Sequence, residues 1–172
     1  MLYSTRYESP LGSCLIVADE QNLVGLWLEG QKYYYPSDET LQEDDNNIVL
    51  KKTKLWLEHY FAGCNPSISE IPLNPIGSDF RQDVWEILKT IPYGEVMTYG
   101  DIAKMIAKKH NKDKMSAQAV GGAVGHNPIS IIVPCHRVIG RNGNLTGYAG
   151  GIQKKIWLLQ HEGVDVSKMY YR

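Results

Sequence analysis

The chain has 172 residues, 43% hydrophobic and 22% charged, so it can bury a core and disorder is not expected. Its apolar runs are far shorter than the roughly 20 residues that span a bilayer, and the N-terminus lacks a signal-peptide pattern. Three scattered cysteines without a CxxC pair argue against a disulfide framework and a structural zinc site. We expect a cytoplasmic protein, or a nuclear one in a eukaryote, with no metal, no cofactor and no membrane partner.

Charge is distributed unevenly along the chain, although the formal net charge is only -1. Residues 1 to 76 carry 5 Lys and Arg against 11 Asp and Glu, a balance of -6, whereas residues 77 to 172 carry 13 against 8, a balance of +5. Lys and Arg neutralise phosphates locally, so the asymmetry favours a polyanionic partner for the second part alone. Chance segregation of solvated charges is the alternative.

The first third of the chain predicts a small antiparallel meander followed by one helix. Strands are expected at Leu2 to Ser9, Cys14 to Ala18 and Leu23 to Leu28, with turn residues between them. Apolar residues then recur at helical spacing from Val49 to Tyr60, and Gly63 is suited to end that helix. One helix packed against an antiparallel sheet is the expected arrangement.

A proline-rich stretch, Asn65 to Ser78, follows this part of the chain. Its residues Pro66, Pro72 and Pro75 cannot lie inside helices or central strands, so we place the inter-domain linker there. The predicted domains are an N-terminal sheet-plus-helix domain at 1–75, linker included, and a C-terminal domain at 76–172.

The C-terminal domain begins with an apolar helical stripe from Phe80 to Ile91. Thr98-Tyr99-Gly100-Asp101 is a near capping box that opens a helix from Tyr99 to Ala107. A second helix is expected at about Ser116 to Gly125. The pair is similar to a helix-turn-helix, although the connection Lys108 to Met115 exceeds the usual turn of about 3 to 4 residues.

The second of these helices has almost no bulky side chains. Its small residues are Ala117, Ala119, Gly121, Gly122, Ala123 and Gly125. Glycine lowers helix propensity, so this composition indicates that something approaches the helix backbone closely. Tight helix–helix packing and close approach of a nucleic acid explain it equally well.

The rest of the chain predicts three further elements. Ile129 to Val133 is interpreted as a buried extended run, and Arg141 to Asn144 as a hairpin-type turn. A final helix carries the stripe Ile152, Ile156 and Leu159 and is stopped by Gly163.

Cys135 is the residue with the most reactive potential. A thiol is a nucleophile only as thiolate, and neighbouring His or Arg side chains lower its pKa. His136 and Arg137 follow directly in the sequence. Adjacency alone does not establish contact, because consecutive side chains in extended backbone point to opposite faces.

The sequence around Cys135 belongs to a larger pattern of six blocks. They are Ile91-Pro92-Tyr93-Gly94-Glu95-Val96-Met97-Thr98-Tyr99-Gly100, Ala119-Val120-Gly121-Gly122-Ala123, Asn127-Pro128, Val133-Pro134-Cys135-His136-Arg137-Val138-Ile139-Gly140, Gly147-Tyr148-Ala149-Gly150-Gly151 and Leu158-Leu159-Gln160-His161-Glu162-Gly163. With these blocks in this order, the chain resembles the O6-alkylguanine-DNA alkyltransferases from about Phe80 to Gly163. The N-terminal part matches mainly in predicted architecture.

This resemblance implies an α/β (α+β) fold, with a ribonuclease H-like sheet and helix first and a mainly helical, winged-helix-like domain with a helix-turn-helix second. It implies DNA repair by direct, stoichiometric and irreversible transfer of an alkyl group from O6-alkylguanine to Cys135. O4-alkylthymine is a further candidate substrate. The expected partner of this monomer is double-stranded DNA, bound in the minor groove with little sequence specificity after base flipping.

The resemblance also assigns catalytic roles to five residues. Cys135 is the alkyl acceptor, deprotonated by His136 through a water, and Glu162 orients His136 and stabilises its imidazolium. Asn127 ties the helix-turn-helix elements together and supports the active-site loop. Tyr99 donates a hydrogen bond to the leaving guanine.

A second set of residues is expected to bind DNA or the flipped base. It comprises Gln118, Ala119, Gly121, Gly122, Arg137, Val138, Tyr148 and Ala149. Backbone groups of Cys135, Val138 and Ala149 would recognise the base while Tyr148 packs against it. The Gly/Ala helix would lie in the minor groove.

The chain departs from the family pattern at two places. Gln118 stands where the family usually carries an Arg that fills the space of the flipped guanine, which weakens stacking there. The basic stretch from Lys108 to Lys114 is interpreted as an insertion that adds phosphate contacts. Two other functions remain open from the residues: a lesion-binding protein without turnover, and a cysteine hydrolase.

Overall fold

The computed structural model describes residues 1–35, 40–145 and 147–171. The chain forms two compact units, Met1–Ile76 with Pro128–Ile132, and Gly77–Asn127 with Val133–Arg172. The segment Pro128–Ile132 therefore returns to the first unit, which a single boundary at 75/76 does not anticipate. None of the described helices is long and apolar enough to cross a membrane.

The first unit is built on a four-stranded sheet. The three predicted strands are confirmed as β1 (Leu2–Ser9), β2 (Gly12–Ala18) and β3 (Leu23–Leu28), which pair antiparallel in sequence order. A fourth strand, β4 (Leu41–Glu43), pairs parallel with β1 at the sheet edge. The sequence does not predict β4, because three residues that are not buried have no detectable periodicity.

The predicted helix of the first unit is confirmed as α1 (Ile48–Phe61), which contacts β1, β2 and β3. Asn47 caps it by accepting a hydrogen bond from the amide of Leu50. Beyond it, the proline-rich stretch is not a free linker. Leu23 donates its amide to Pro72 (2.8 Å) and accepts from the amide of Asn74 (2.8 Å), so the stretch partly lies along β3.

The second unit begins with α2 (Asp79–Leu88), capped by Ser78. The helix ends three residues before Ile91, whose side chain is buried outside the helix. The apolar stripe therefore extends further than the helix itself. Two short strands that the sequence does not predict, β5 (Met97–Thr98) and β6 (Val138–Ile139), pair parallel.

The two central helices are confirmed as α3 (Tyr99–Lys109) and α4 (Ala117–Gly125). Thr98 and Asp101 form the predicted capping box at the start of α3. Because α3 continues two residues beyond Ala107, part of the predicted basic loop is helical. The connection proper is residues 110–116.

The interpretation of Ile129 to Val133 as an extended run is wrong, although the segment is buried. Ile131 has φ 70°, and the amide of Ile132 donates to the carbonyl of Ser130 (2.8 Å), so the backbone turns. An apolar run reports burial and not backbone conformation.

The last two predictions for the second unit are met in part and in full. The chain turns where expected, with positive φ at Asn142 (60°) and Gly143 (86°), but in a 3-10 helix, Arg141–Gly143, and not in a hairpin. The last helix is α5 (Ile152–His161), followed by Gly163 with φ 85°. The α+β class, with a sheet and helix first and a mainly helical second unit, is confirmed as well.

Candidate active site

Cys135 begins a short 3-10 helix, Cys135–Arg137, that leads into β6. Its side chain is buried, with 5% of the residue exposed. The carbonyl of Val133 accepts hydrogen bonds from the Cys135 amide (2.8 Å) and from Nδ2 of the buried Asn127 (2.8 Å). Asn127 therefore holds the backbone that carries the cysteine, in the position expected for a residue that supports this loop.

A buried network of His136, Glu162 and Arg137 lies at the same 3-10 helix. His136 Nε2 is 2.7 Å from Glu162 Oε2, and the His136 side chain is fully buried. Arg137 donates from Nε to Oε1 (2.7 Å) and from NH2 to Oε2 (3.0 Å) of the same carboxylate. It also donates from NH1 to the carbonyl of Ile91 (2.6 Å). The structure brings His136 and Glu162 together from positions 26 residues apart.

The surroundings fix the charge states of this network. Burial lowers the pKa of His136, and Glu162 only partly offsets that effect, so the imidazole is neutral near pH 7. Burial alone would raise the pKa of Glu162, but the hydrogen bonds and charges of His136 and Arg137 bring it well below its usual range. A carboxylate that accepts from His136 Nε2 makes this nitrogen the protonated one and leaves Nδ1 as the base. That Nδ1 is buried, with no hydrogen-bond partner among the described residues.

The thiol of Cys135 is not a preformed thiolate. Burial raises its pKa, while the Asn127 side chain and the charge of Lys155 act in the opposite direction. Activation therefore requires a base in addition to a favourable electrostatic environment.

Lys155 is a site residue that the sequence analysis does not identify. It is fully buried, burial lowers its pKa to about 8, and the charge of Cys135 counteracts this. Its Nζ donates to the carbonyl of Val138 and lies 6.0 Å from the ring centroid of Tyr99. A detectable signal exists: Lys155 falls on the apolar stripe of α5, three residues after Ile152.

Tyr99, the first residue of α3, lines a cleft of about 830 Å³ in the second unit. Other lining residues include Lys104, Gln118, Gly121, Arg141 and Gly147. Burial, with the nearby Cys135, raises the pKa of Tyr99 to about 12, so its hydroxyl remains protonated. A Cβ at Gly147 would lie 2.5 Å from this hydroxyl, so only glycine leaves room for it. The cleft volume is within the range of small-molecule sites.

Helix α4 has one buried and one exposed face. Val120, Ala123 and Val124 are buried, and Trp85 Nε1 donates to the carbonyl of Ala123 (2.8 Å). Gln118, Ala119 and Gly122 are exposed. A Cβ at Gly122 would meet no described atom within 4 Å, so packing within the chain does not explain this glycine.

Three residues are expected to contact the flipped base: Val138, Tyr148 and Ala149. Val138 is fully buried, its amide donates to the carbonyl of Cys135, and its carbonyl accepts from Lys155. Tyr148 and Ala149 are half-buried beside the cleft-lining Gly147. Arg137, expected to bind DNA, is 9% exposed and is held by Glu162 and Ile91.

Within the described ranges, no group of three or more His, Cys, Asp or Glu side chains could hold a metal ion.

Comparison with known proteins covers both units. The 6-O-methylguanine DNA methyltransferase ribonuclease-like domain matches residues 2–75, and the DNA binding domain of the same family matches residues 79–164. A methylated-DNA–protein-cysteine methyltransferase of Haemophilus influenzae is 43% identical, over 95% of this chain and 87% of that protein. The crystal structure of Mycobacterium tuberculosis O6-methylguanine methyltransferase is 40% identical with a TM-score of 0.81, covering 99% of this chain and 96% of that chain.

The crystal structure of Mycobacterium tuberculosis OGT in complex with DNA is likewise 40% identical, with a TM-score of 0.82, and covers 93% of this chain and 92% of that chain. Similarity of this extent involves both units and the surroundings of Cys135. The chain therefore belongs to the 6-O-methylguanine DNA methyltransferase family.

Proposed function

We propose that this protein repairs DNA by moving the alkyl group of an O6-alkylguanine onto its own Cys135, once per molecule. One observation carries the proposal: a neutral, buried His136 is bonded through Nε2 to Glu162, next in sequence to a buried cysteine. Family membership and the names of the relatives support the same chemistry. We assign the reaction to a C-terminal domain at 76–172 and treat 1–75 as a separate N-terminal domain.

Activation of the thiol is the first step. Cys135 is held as a thiol by burial, and His136 Nδ1 takes its proton through a bridging water. Glu162 stabilises the imidazolium that forms, and Lys155 stabilises the thiolate. Arg137 is a positioning residue for Glu162 in this scheme and not a DNA ligand.

Transfer is a displacement at the alkyl carbon. The thiolate forms the S–C bond, the C–O6 bond breaks, and its electron pair goes to the guanine. The one proton that the guanine gains balances the proton that Cys135 gave up to His136, exchanged through water. Tyr99 stabilises this leaving group by donating a hydrogen bond to a ring nitrogen, since its high pKa makes it a donor that keeps its proton. The product is a thioether, which offers water no carbonyl or phosphoryl centre, so the protein is consumed.

Access to guanine O6 requires the nucleotide to rotate out of the duplex. The exposed face of α4, with Ala119 and Gly122, fits the sugar-phosphate backbone of a minor groove, and the cleft beside it accepts the base. Gln118 lines that cleft where it can fill the space of the extruded base. Few base-specific groups lie on this face, so we expect little sequence preference.

We further propose that the protein acts as a monomer in a reducing compartment, the cytoplasm or a nucleus. Cys64 and Cys135 are free thiols, and an oxidised acceptor could not react.

The proposal is tested by intact mass after incubation with a duplex that contains O6-methylguanine. We expect a gain of one methylene group in the wild type and in Cys64→Ser, which removes the exposed free thiol. Cys135→Ser should gain nothing. Lesion binding without any mass gain would favour a lesion-binding protein, and repeated ester cleavage would favour a hydrolase.

A further inference from the structure

The segment Pro128–Ile132, which we call the docked segment, ends three residues before the acceptor cysteine and packs in the first unit. It lies beside β3: the amide of Leu26 donates to Pro128 (2.8 Å), and the amide of Ser130 donates to Leu26 (2.9 Å). Leu26 and Ile129 thus form a parallel bridge. The sheet of the first unit holds the chain just before it reaches Cys135.

Gln31 fastens the docked segment to the end of β3. Its Oε1 accepts from the amide of Leu28 (2.7 Å) and from the hydroxyl of Ser130 (3.1 Å). Gln31 is 5% exposed and Ser130 is 3% exposed, so water competes little for either bond. We call this pair of side chains the clamp.

Ile131, the residue after Ser130, has a backbone conformation that needs support from its surroundings. Ile131 has φ 70°, and the Ile132 amide donates to the Ser130 carbonyl, which is the hydrogen bond of a γ-turn with positive φ. A β-branched residue avoids this conformation, so it persists only where the surrounding structure enforces it.

The strained turn is followed at once by a second tight turn. Pro134 has φ -82° and ψ 66°, and the Cys135 amide donates to Val133 (2.8 Å), which makes an inverse γ-turn. Two successive γ-turns restrict the conformational freedom of the backbone between Ser130 and Cys135. The backbone thus runs from Ser130 to Cys135 through two tight turns, each closed by its own hydrogen bond.

We propose that Gln31 and Ser130 are positioning residues for the transfer reaction: their hydrogen bond holds the strained turn that sets where Cys135 lies. The inference rests on the proposed function, since it concerns the rate of alkyl transfer.

The test is single-turnover transfer from an O6-methylguanine duplex, measured together with duplex affinity. Ser130→Ala should slow transfer by about tenfold or more, because displacements of an ångström are costly in catalysis, and should leave affinity within about twofold. Ser130→Thr, which keeps the hydroxyl, should recover most of the rate. Gln31→Ala combined with Ser130→Ala should be no slower than Gln31→Ala alone, because both changes break the same bond.

Thr53→Val is the matched control. Thr53 lies fully buried on α1 of the first unit and donates its hydroxyl to Val49 (2.8 Å), a residue of the same helix. Transfer that slows as much in Thr53→Val as in Ser130→Ala at equal loss of Tm would overturn the clamp, as would a wild-type rate in Ser130→Ala. A wild type that transfers no methyl group would overturn the proposed function instead.

Discussion

Replacing Glu162 by Gln removes one oxygen and one charge from the centre of the network. In the native protein, Oε1 accepts from Arg137 Nε (2.7 Å) and from the Gly94 amide (3.3 Å). Oε2 accepts from Arg137 NH2 (3.0 Å) and lies 2.7 Å from His136 Nε2. Arginine and the backbone amide can only donate, whereas a neutral histidine nitrogen can donate or accept.

The side-chain amide introduced by Glu162→Gln therefore has a preferred orientation. If the NH2 group takes the place of Oε1, it faces two groups that can only donate, Arg137 Nε and the Gly94 amide. If it takes the place of Oε2, it faces only one such group, and it can donate to His136 Nε2. The second orientation moves the histidine proton to Nδ1. His136 can then no longer accept a proton from Cys135, because Nδ1, the nitrogen proposed as the base, is already protonated.

Both activity and stability should fall. Loss of the general base predicts a transfer rate lower by about 10² to 10⁴ at neutral pH. The change also leaves the charge of Arg137, 9% exposed, without its carboxylate, which predicts a loss of about 3 to 5 kcal/mol in the free energy of unfolding.

The assay is single-turnover methyl transfer by rapid quench, with urea unfolding on the same samples. Arg137→Met is the control, since it breaks the same ion pair and leaves the contact between Glu162 and His136. It should lose comparable stability but far less rate. Equal rates in the two variants, or a wild-type rate in Glu162→Gln, would refute the proposed change of tautomer.

Five further predictions concern single residues or small groups of residues. Lys155→Met should raise the pKa of Cys135 further and move the rate–pH profile to higher pH, since a thiol whose pKa is one unit higher has about tenfold less thiolate at neutral pH; an unmoved profile would exclude Lys155 from the site. The carboxylate of Glu162 has a lowered pKa, so its contribution to stability is present above its ordinary value of 4.5 and is lost as the pH falls; urea unfolding of Glu162→Gln should show a flatter acid limb. Lys108, Lys112 and Lys114 changed together to Ala should reduce the slope of log affinity against log salt by about 2 to 3, whereas Lys109→Ala should change it little because Lys109 already pairs with Asp83 at 2.7 Å. Gly122→Ala should raise helix stability by up to about 1 kcal/mol yet weaken duplex binding, and Gly147→Ala should slow transfer by displacing the Tyr99 hydroxyl.

The helices and strands with clear local patterns are predictable from the sequence. The capping box at Thr98 and the positive-φ turn at Asn142 and Gly143 depend on residues within a few positions, so the structure matches the expectation. β4 has no such pattern, since it forms only where β1 provides a partner.

The candidate site also has features that the sequence predicts and features that it does not. The family resemblance of the six blocks implies that His136 and Glu162 are partners, and the structure places them in contact. It does not reveal that Arg137 shares the same carboxylate, nor that Lys155 is buried, because both facts depend on packing between distant segments. Adjacency to Cys135 is compatible with a DNA-facing arginine; the bidentate contact to Glu162 requires the fold.

The docked segment has a backbone conformation that the sequence does not predict. The overlapping run Ile129 to Val133 is predicted to be buried and extended, and its burial is correct. The positive φ of Ile131 contradicts its local preference, so only the surrounding structure could reveal it. Departures of this kind are expected where function, and not local propensity, selects the backbone.

The final position of the alkyl group and the number accepted per molecule test the proposed function most directly. Incubation with an excess of O6-methylguanine duplex, followed by peptide mass mapping, measures both. We predict a plateau at one methyl group per protein, all of it on the peptide that carries Cys135, with an equal amount of guanine restored in the DNA. Methylation of the exposed Cys64, or more than one guanine restored per protein molecule, would contradict it.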